Sequence, residues 1–577
     1  MGNTHRNSRI SYFLLIIGLF FSLVGYRLFI VGYVKHPYYS RTAQANTEQS
    51  ANVLSRGSIY FSDKDYGRSI AATNKKFSVA HIVPSQIESS QRGIVIDFLS
   101  EVTSLDVDVI SRAANAQSDY ARLLPTRLTP EQVTAIKDRN LKGVGISNIT
   151  DRFYPNGALG ADILGFLGYD GTSRSGQYGV ESYFNEELFG RAPGNAEFLT
   201  AGLPGLLGRL MPGGQTAEAK RDITLDRPQD VVLTIDKTIQ TYVEETLDKL
   251  LERWSAQGGS IIVQEPTTGR ILAMADRPSF NPNTYSISAP ETFLNSSVQQ
   301  VFEPGSSFKP FTMAVGLDTG KISPTTSYED KGFVEIAEYK IKNFSESVFG
   351  RQTMTQVLEK SINTGTMYIE NLVGDDAFLN YILNMGFGQK TYIDLPGEVN
   401  GDITNLYTGR KINYLTASFG QGIAVTPLQL VNAYSMIANG GKLMRPYVVE
   451  RVIGEGSKEV VTKPEIMGIP ISEKTSEKLR TMLVGVVNNG FDNASIKGYD
   501  IAGKTGTAQI PGSGGGYLED QFIHNFLGFA PASSPRFTIL IKIDKPQGIT
   551  FAADSLSPAF RDVTLFLLNY YNIPPTR

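Results

Sequence analysis

The chain has 577 residues, of which 41% are hydrophobic and 19% are charged, so it holds enough apolar material for more than one folded domain. Its net charge of −3 and its pI of about 6.0 argue against a nucleic-acid-binding function, and no Lys/Arg-rich block suggests a local one. The absence of cysteine excludes disulfides, thiolate metal sites and a cysteine nucleophile.

Histidine is also scarce. Two of the four histidines, His5 and His36, flank an apolar N-terminal segment, which leaves only His81 and His524 for folded domains. The chain therefore has too few histidines to favour a histidine metal cluster or a Ser-His-Asp triad. We expect no metal and no cofactor, and we expect any serine chemistry to use a different base.

The first predicted element is the apolar run at 12–34. It carries one charged residue, Arg27, and it is longer than the length of about 20 residues that a helix needs to cross a bilayer. We predict a single transmembrane anchor preceded by a cytoplasmic tail at 1–11, with the rest of the chain outside the cytoplasm. A cleaved signal peptide, with "AQA" at 43–45 as its small-residue site, is the alternative, and a core helix of a soluble protein is a weaker one.

Residues 35–225 form a first region of mixed character. It contains a strand-like run at 77–83 and a helix-like stretch at 129–139. In the Gly/Pro-rich piece at 199–220, apolar residues lack a helical period, so we predict an inserted loop or hinge. A membrane or partner contact is the alternative for this piece, although it lacks a basic face.

The pattern is more regular in 226–577. "DVVLTID" at 230–236 predicts a strand, and apolar residues between Ile239 and Trp254 fall on one helical face. Two strands around a Pro-Thr-Thr-Gly turn are predicted within 259–275, and a strand at 536–544 precedes a closing helix. These elements predict an α+β domain in which helices flank an antiparallel sheet.

Lys504 fits two incompatible motifs. The segment 498–505 matches the phosphate-loop pattern G-x-x-x-x-G-K-T, whereas Lys504-Thr505-Gly506 matches a triad that binds a peptide carboxylate beside a reactive serine. A phosphate loop needs a buried strand before it and a helix after it. Polar residues precede this segment, and Pro511 with the glycines after it excludes a helix. We therefore predict that Lys504 lies on a strand, and we reject nucleotide binding.

Ser306 is the only serine that is followed by a lysine three residues later, Lys309. Helical positions three apart share a face, so Lys309 is placed to reach the Ser306 hydroxyl. A lysine accepts a proton only when it is neutral, and both burial and a nearby cation such as Lys504 lower its pKa.

Ser361-Ile362-Asn363 supplies a third element. Ser361 is placed to pass a proton between base and leaving group, and Asn363 to hold a substrate amide. Each of the three motifs is weak alone, but their occurrence in this order is a strong signal.

With these motifs the sequence resembles the class B penicillin-binding proteins, the monofunctional peptidoglycan D,D-transpeptidases of cell division and elongation. Stretches similar to the transpeptidase domain of that family are "LTIDKTIQ" (233–240), "TGRILAMADRPSFNPN" (268–283), "EPGSSFKP" (303–310), "FGQGIAVTPLQLVNAYSMIANGG" (419–441) and "GKTGTAQ" (503–509). "RGSI" (56–59) and "YGVESYFNEELFGRAPG" (178–194) resemble its N-terminal pedestal. After "RGSI" the family usually has an acidic residue and a turn, whereas this chain has Tyr60-Phe61-Ser62.

The resemblance implies a β-lactamase/transpeptidase-like domain at 226–577 on an elongated, dimerisation-like pedestal at 35–225. It also implies roles for particular residues. The catalytic residues would be Ser306 as nucleophile, Lys309 as base and Ser361 as proton relay, together with Asn363 and Lys504. Lys504, Thr505 and Thr507, with Gly506 between them, would bind the terminal carboxylate of the substrate. The backbone amides of Ser306 and Thr507 would form the oxyanion hole.

The resemblance further implies the partners of the enzyme. They are a stem peptide ending in D-Ala-D-Ala as acyl donor, an amine of a neighbouring strand as acceptor, and β-lactams, which would trap Ser306. The implied location is the bacterial cytoplasmic membrane, with a polytopic glycan polymerase as protein partner.

Two other functions stay open. The first is a β-lactamase or D,D-carboxypeptidase, which transfers the acyl group to water. The segment "DAFLN" at 376–380 resembles the water-activating element of class A hydrolases, but it carries Asp and follows Ser361 too closely. We therefore interpret it as an ordinary helix with Phe378 and Leu379 in the core. A wall-assembly scaffold without activity is the other alternative, and the intact motif residues argue against it. A membrane-bound β-lactam sensor fits less well, because the chain begins with one predicted span.

Overall fold

The computed structural model describes residues 56–170, 173–190, 227–490, 492–512 and 516–576, together with Ser22. The predicted tail at 1–11, the predicted span at 12–34 apart from Ser22, and the Gly/Pro-rich piece at 199–220 lie outside the described residues. No helix within the described part of the chain combines the length and the hydropathy needed to cross a membrane.

The described residues form two compact units. The first includes Asn74–Asp151 and Tyr169–Arg174, and the second comprises Gly57–Thr73, Arg152–Gly168 and Ser175–Arg577. Every residue predicted above for catalysis or substrate binding belongs to the second unit.

The strands are β1 (Ile59–Ser62), β2 (Arg68–Ile82), β3 (Arg122–Leu123), β4 (Val144–Phe153), β5 (Phe166–Asp170), β6 (Ser173–Gln177), β7 (Asp230–Asp236), β8 (Gly258–Gln264), β9 (Ile271–Arg277), β10 (Ser327–Asp330), β11 (Phe333–Ile336), β12 (Tyr339–Lys342), β13 (Gly350–Thr353), β14 (Leu443–Met444), β15 (Val449–Ile453), β16 (Glu459–Val461), β17 (Ile466–Gly468), β18 (Ala502–Pro511), β19 (Tyr517–Ala530) and β20 (Phe537–Asp544). The α-helices are α1 (Arg92–Thr103), α2 (Val107–Ala114), α3 (Pro130–Arg139), α4 (Ala161–Leu164), α5 (Gly179–Tyr183), α6 (Asn185–Phe189), α7 (Lys237–Trp254), α8 (Ser296–Gln299), α9 (Lys309–Asp318), α10 (Met354–Glu359), α11 (Asn363–Val373), α12 (Asp375–Asn384), α13 (Lys411–Ala417), α14 (Pro427–Ala438), α15 (Glu473–Gly490) and α16 (Ala552–Tyr570).

In the first unit, helices α1, α2 and α3 pack around one apolar cluster that also includes residues of β2. The helix predicted at 129–139 is confirmed as α3. Thr129 begins it with a capping box, in which the Thr129 hydroxyl accepts from the Gln132 amide and the Gln132 side chain accepts from the Thr129 amide. The strand predicted at 77–83 is confirmed within β2.

The second unit is built on a five-stranded antiparallel sheet with the strand order β18-β19-β20-β8-β9. Successive residues of β8 point to opposite faces: Ile261 and Val263 belong to the cluster that contains α7 and α16, and Ile262 belongs to the cluster that contains α9 and α14. Both faces are therefore buried, and β18 is left as one edge of the sheet. The predicted α+β arrangement of helices around an antiparallel sheet is confirmed.

The strands predicted at 230–236, within 259–275 and at 536–544 are confirmed as β7, β8 with β9, and β20. Helix α7 follows β7 directly because the Asp236 carboxylate accepts from the first free amides of the helix, at Thr238 and Ile239.

The two stretches that resemble the family pedestal meet at a buried ion pair. Arg152 donates from Nε to Glu181 Oε1 at 2.7 Å and from Nη1 to the carbonyl of Gly57 at 2.7 Å, and the Tyr154 hydroxyl donates to the same carboxylate. The Arg152 and Glu181 side chains are 1% and 0% exposed. Gly57 lies two residues before β1, which continues through the unusual Tyr60-Phe61-Ser62 segment and pairs with β7.

We expect Glu181→Ala to lower the free energy of unfolding by about 3–5 kcal/mol, because it removes a fully buried carboxylate that pairs with the buried Arg152 guanidinium. Urea denaturation followed by the fluorescence of Trp254, the only tryptophan, measures the change. The control is Glu245→Ala, which breaks an exposed pair with Lys249 and should cost less than about 1 kcal/mol. Equal effects of the two substitutions would contradict a stabilising role for the buried pair.

Candidate active site

Ser306 lies in a short 3-10 turn, Gly305–Phe308, that leads directly into α9. Pro310 occupies the first turn of α9, where its missing N–H leaves no intrahelical hydrogen bond unmade. The two adjacent serines differ in environment. Ser307 is buried and donates its hydroxyl to the carbonyl of Pro304 at 2.9 Å, whereas Ser306 lines a cavity. Ser307 therefore stabilises the turn, and Ser306 is the serine that a ligand can reach.

Lys309 is the first residue of α9 and is fully buried. Its Nζ donates to the carbonyl oxygen of Ser361 and to Ser361 Oγ, the latter at 3.1 Å. Ser361 lies between α10 and α11 with φ of +55°, a left-handed conformation that is uncommon for serine. Two oxygens of one residue thus contact the same amino group.

Strand β18 approaches the serine turn closely because glycines stand at the contacts. A Cβ at Gly506 would lie 2.5 Å from the carbonyl oxygen of Pro304, and one at Gly305 would lie 3.2 Å from the carbonyl oxygen of Thr507. Asn525, on the neighbouring strand β19, donates Nδ2 to the same Pro304 carbonyl at 3.1 Å. The glycines therefore let the turn and the strand approach closely, and the Asn525 side chain ties the turn to β19, the strand that pairs with β18.

A cavity of about 360 Å³ opens where these segments meet. It is lined by five of the residues predicted from the sequence, namely Ser306, Ser361, Asn363, Thr505 and Thr507. Lys309 and Lys504 are fully buried and do not line it. The structure therefore brings together the three motifs that the sequence separates.

The remaining predicted residues occupy defined positions. Lys504 lies on β18, as predicted, and donates Nζ to the carbonyl oxygen of Thr505 at 3.1 Å. Asn363 begins α11 and contacts the carbonyl oxygen of Lys342 at 3.4 Å. The phosphate-loop interpretation fails in the structure as it did in the sequence, because the described residues after Lys504 continue as strand.

Burial lowers the pKa of both lysines. The pKa of Lys309 is held well below that of a free lysine by burial and, secondarily, by the charge of Lys504. Burial lowers the pKa of Lys504 to about 7. Both shifts favour the neutral amine, and a neutral Lys309 would have a lone pair beside the Ser361 hydroxyl.

Several lining residues were not singled out from the sequence. Gln421 and Gln509 lie within the family-like stretches at 419–441 and 503–509, but nothing in the sequence distinguishes them from their neighbours. Phe344 and Phe551 come from loops without a motif, and their rings meet at 5.4 Å between centroids in an edge-to-face arrangement. Only the fold shows that these two aromatic residues border the cavity.

The chain is similar to known proteins along most of its length. Residues 259–564 match the penicillin binding protein transpeptidase domain, and residues 52–197 match the penicillin-binding protein dimerisation domain. The chain is 32% identical to stage V sporulation protein D of Bacillus subtilis, over 88% of this chain and 77% of that protein. It is 30% identical to peptidoglycan D,D-transpeptidase FtsI of Escherichia coli, over 83% of this chain and 77% of that protein.

A solved structure shares the fold. Penicillin binding protein 3 of Mycobacterium tuberculosis, complexed with ampicillin, superposes with a TM-score of 0.66 at 23% identity, covering 90% of this chain and 96% of that one. The matched transpeptidase domain defines the chain as an acyltransferase. The chain belongs to the penicillin-binding proteins that carry a transpeptidase domain and a dimerisation domain.

We expect Lys504→Met to move the rising limb of the pH–rate profile for acylation to higher pH. If Lys309 is the base, as predicted from the sequence, acylation needs its neutral form, and the rate rises as the pH passes the pKa of that lysine. Removal of the Lys504 charge raises this pKa, although burial still holds it below the usual lysine range. The rate of labelling by a fluorescent penicillin, measured as a function of pH, reports the shift. Lys249→Met, on the exposed face of α7, is the control. A lower plateau with an unmoved rising limb would contradict electrostatic coupling of the two lysines.

Proposed function

We propose that the chain is a peptidoglycan D,D-transpeptidase in which Ser306 forms the acyl-enzyme. The observation that carries this proposal is the buried amine of Lys309, in contact with Ser361 and placed behind a cavity that Ser306 and two threonines of β18 line. A base of this kind is what a serine hydroxyl needs in order to become a nucleophile.

In the first half-reaction, Ser306 Oγ attacks the carbonyl carbon of the penultimate D-alanine while its proton passes to neutral Lys309. The tetrahedral oxyanion is stabilised by the backbone amides of Ser306 and Thr507. The C–N bond then breaks, the proton moves through Ser361 to the leaving nitrogen, and terminal D-alanine departs. Ser361 suits the relay because its hydroxyl already contacts Lys309 Nζ at 3.1 Å.

The substrate carboxylate binds at β18. Thr505 and Thr507 present their side chains to the cavity, and Lys504 supplies positive charge from beneath the strand when it is protonated. Gly506 contributes by its lack of a side chain, since any Cβ there would push β18 away from the serine turn. Asn363, at the start of α11, holds the amide of the stem peptide.

In the second half-reaction, an amine of a neighbouring strand attacks the acyl-enzyme carbonyl, and Ser306 leaves with a proton returned to its oxygen. A β-lactam follows the first half-reaction only: its ring amide opens on Ser306, and the tethered leaving group stays in the site. That course agrees with the ampicillin complex of the structurally similar protein from Mycobacterium tuberculosis.

The hydrolase alternative receives less support. The segment "DAFLN" at 376–380 lies in α12, and its acidic residue, Asp376, is exposed and does not line the cavity. Phe378 is fully buried, whereas Leu379 is only partly buried, so the prediction that both lie in the core holds fully for Phe378 alone. Asp376 is therefore not placed to activate a deacylating water.

The proposal includes the cellular setting. An anchor at 12–34 places the catalytic unit on the outer side of the bacterial cytoplasmic membrane, where stem peptides are cross-linked. A polytopic glycan polymerase is the protein partner that would supply new strands. The support for both statements is the N-terminal apolar run and the family of the chain.

Incubation of the full chain with a fluorescent penicillin tests the proposed chemistry. We expect long-lived labelling of the wild type and of Ser307→Ala, and none of Ser306→Ala, because Ser307 stabilises the turn without facing the cavity. Rapid loss of the label from the wild type would indicate a hydrolase. Absence of label would indicate a scaffold, and labelling of Ser306→Ala would place the nucleophile elsewhere.

A further inference from the structure

Beyond the predicted motifs, one buried polar pair borders the cavity wall. His524 on β19 is fully buried; its Nδ1 lies 2.8 Å from Ser555 Oγ and its Nε2 lies 3.1 Å from the carbonyl oxygen of Thr550. Thr550 and Ser555 bracket the start of α16, and three residues between them, Phe551, Ala553 and Asp554, line the cavity.

The hydrogen-bond partners determine the state of the imidazole. A carbonyl oxygen only accepts, so Nε2 carries the proton, and Nδ1 then accepts from the Ser555 hydroxyl. Burial lowers the pKa of His524 to about 4, so the ring stays neutral near pH 7. Both ring nitrogens are satisfied, and the ring ties β19 to the segment before α16 and to its first turn.

The same turn is tied to β18 by Thr507. The Thr507 Oγ1 accepts from the amide of Ala552 at 3.0 Å, which satisfies one of the amides that a helix leaves unpaired at its N-terminus. Thr507 and His524 are directly paired neighbours across β18 and β19. Two adjacent residues of the sheet thus hold one turn, one through its side-chain oxygen and the other through its ring.

This arrangement has a consequence for the hydroxyl proton of Thr507. The Ala552 amide occupies one lone pair of the Thr507 oxygen and so restricts rotation of the hydroxyl, whose proton stays available to an acceptor in the cavity that Thr507 lines. A displaced turn would remove the amide of Ala552 and would leave the hydroxyl free to rotate. A donor that must meet a carboxylate is more effective when its direction is fixed before binding.

We propose that the His524–Ser555 pair is a positioning element for carboxylate recognition: it holds the first turn of α16 against the sheet and so directs the Thr507 hydroxyl into the cavity. This inference rests on the proposed function, because it assigns Thr507 to the substrate carboxylate. Neither His524 nor Ser555 touches the reacting atoms, and both act through Thr507.

The chain offers a closely matched pair of substitutions. Ser555→Ala removes the donor to His524, whereas Ser557→Ala removes a hydroxyl that is equally buried on the same helix and has no hydrogen-bond partner among the described residues. His524→Gln is a second variant, which keeps an amide donor but not the ring geometry. Each variant is compared by its rate of acylation with benzylpenicillin and with the methyl ester of benzylpenicillin, which lacks the carboxylate charge.

We expect Ser555→Ala and His524→Gln to slow acylation by benzylpenicillin about tenfold, the size expected when a hydrogen bond to a charged group is weakened, and to change the rate with the ester by less than about twofold. Ser557→Ala should leave both rates near those of the wild type. In a Thr507→Val background, Ser555→Ala should cause no further loss, because the hydroxyl that it positions is absent.

A purely structural role would produce other results. Equal losses for the acid and the ester, equal behaviour of Ser555→Ala and Ser557→Ala, or additive losses in the Thr507→Val background would each overturn the inference. A different result tests the proposed function, which requires that the wild type be labelled at Ser306. That result does not depend on how the variants at position 555 behave. Rates are expressed per molecule that can be labelled, so a variant that folds poorly still reports the ratio of acid to ester.

Discussion

The burial of the Lys309 amino group is the constraint on which the site depends. In water a lysine is a cation and cannot accept a proton at neutral pH. Here the low-dielectric interior and the neighbouring Lys504 favour the neutral form, and Ser361 supplies the polar contacts that make the burial tolerable. In the proposed mechanism, the basicity needed by Ser306 thus comes from the placement of an ordinary lysine side chain rather than from a Ser-His-Asp triad.

The proposed mechanism also requires that the Ser306 hydroxyl keep a fixed position. The backbone contacts of the serine turn with β18, made possible by Gly305 and Gly506, set the distance between the hydroxyl and the strand. The carbonyl of Pro304 is held on two sides, by the Ser307 hydroxyl and by the Asn525 amide. These hydrogen bonds join uncharged groups, so they do not depend on the protonation states of Lys309 and Lys504.

The sequence predicted much of this arrangement because local physics sets it. The strands β7, β8, β9 and β20 and the helix α3 follow from apolar periodicity and capping residues, and the three motifs follow from spacing and order. Phe344 and Phe551 could not be predicted, because their meeting depends on how distant loops fold together. The hydrogen bond between His524 and Ser555 could not be predicted for the same reason. In the sequence, a single histidine in a strand cannot be distinguished from other core residues until its partners are known. The left-handed backbone of Ser361 was not predicted either, because serine rarely adopts it and no glycine marks the position.

The edge position of β18 in the sheet affects how the sequence of such a site can change in evolution. An edge strand offers main-chain N–H and C=O groups that no neighbouring strand uses, and globular proteins commonly blunt such edges because other chains pair with them. In this fold the edge lies beside the nucleophile, so an extended ligand can be recognised through peptide groups that every amino acid shares. Replacement of side chains along β18 leaves those groups in place. Variants that discriminate against a drug must therefore alter the walls of the cleft or the path of the strand, and both changes also affect the natural ligand.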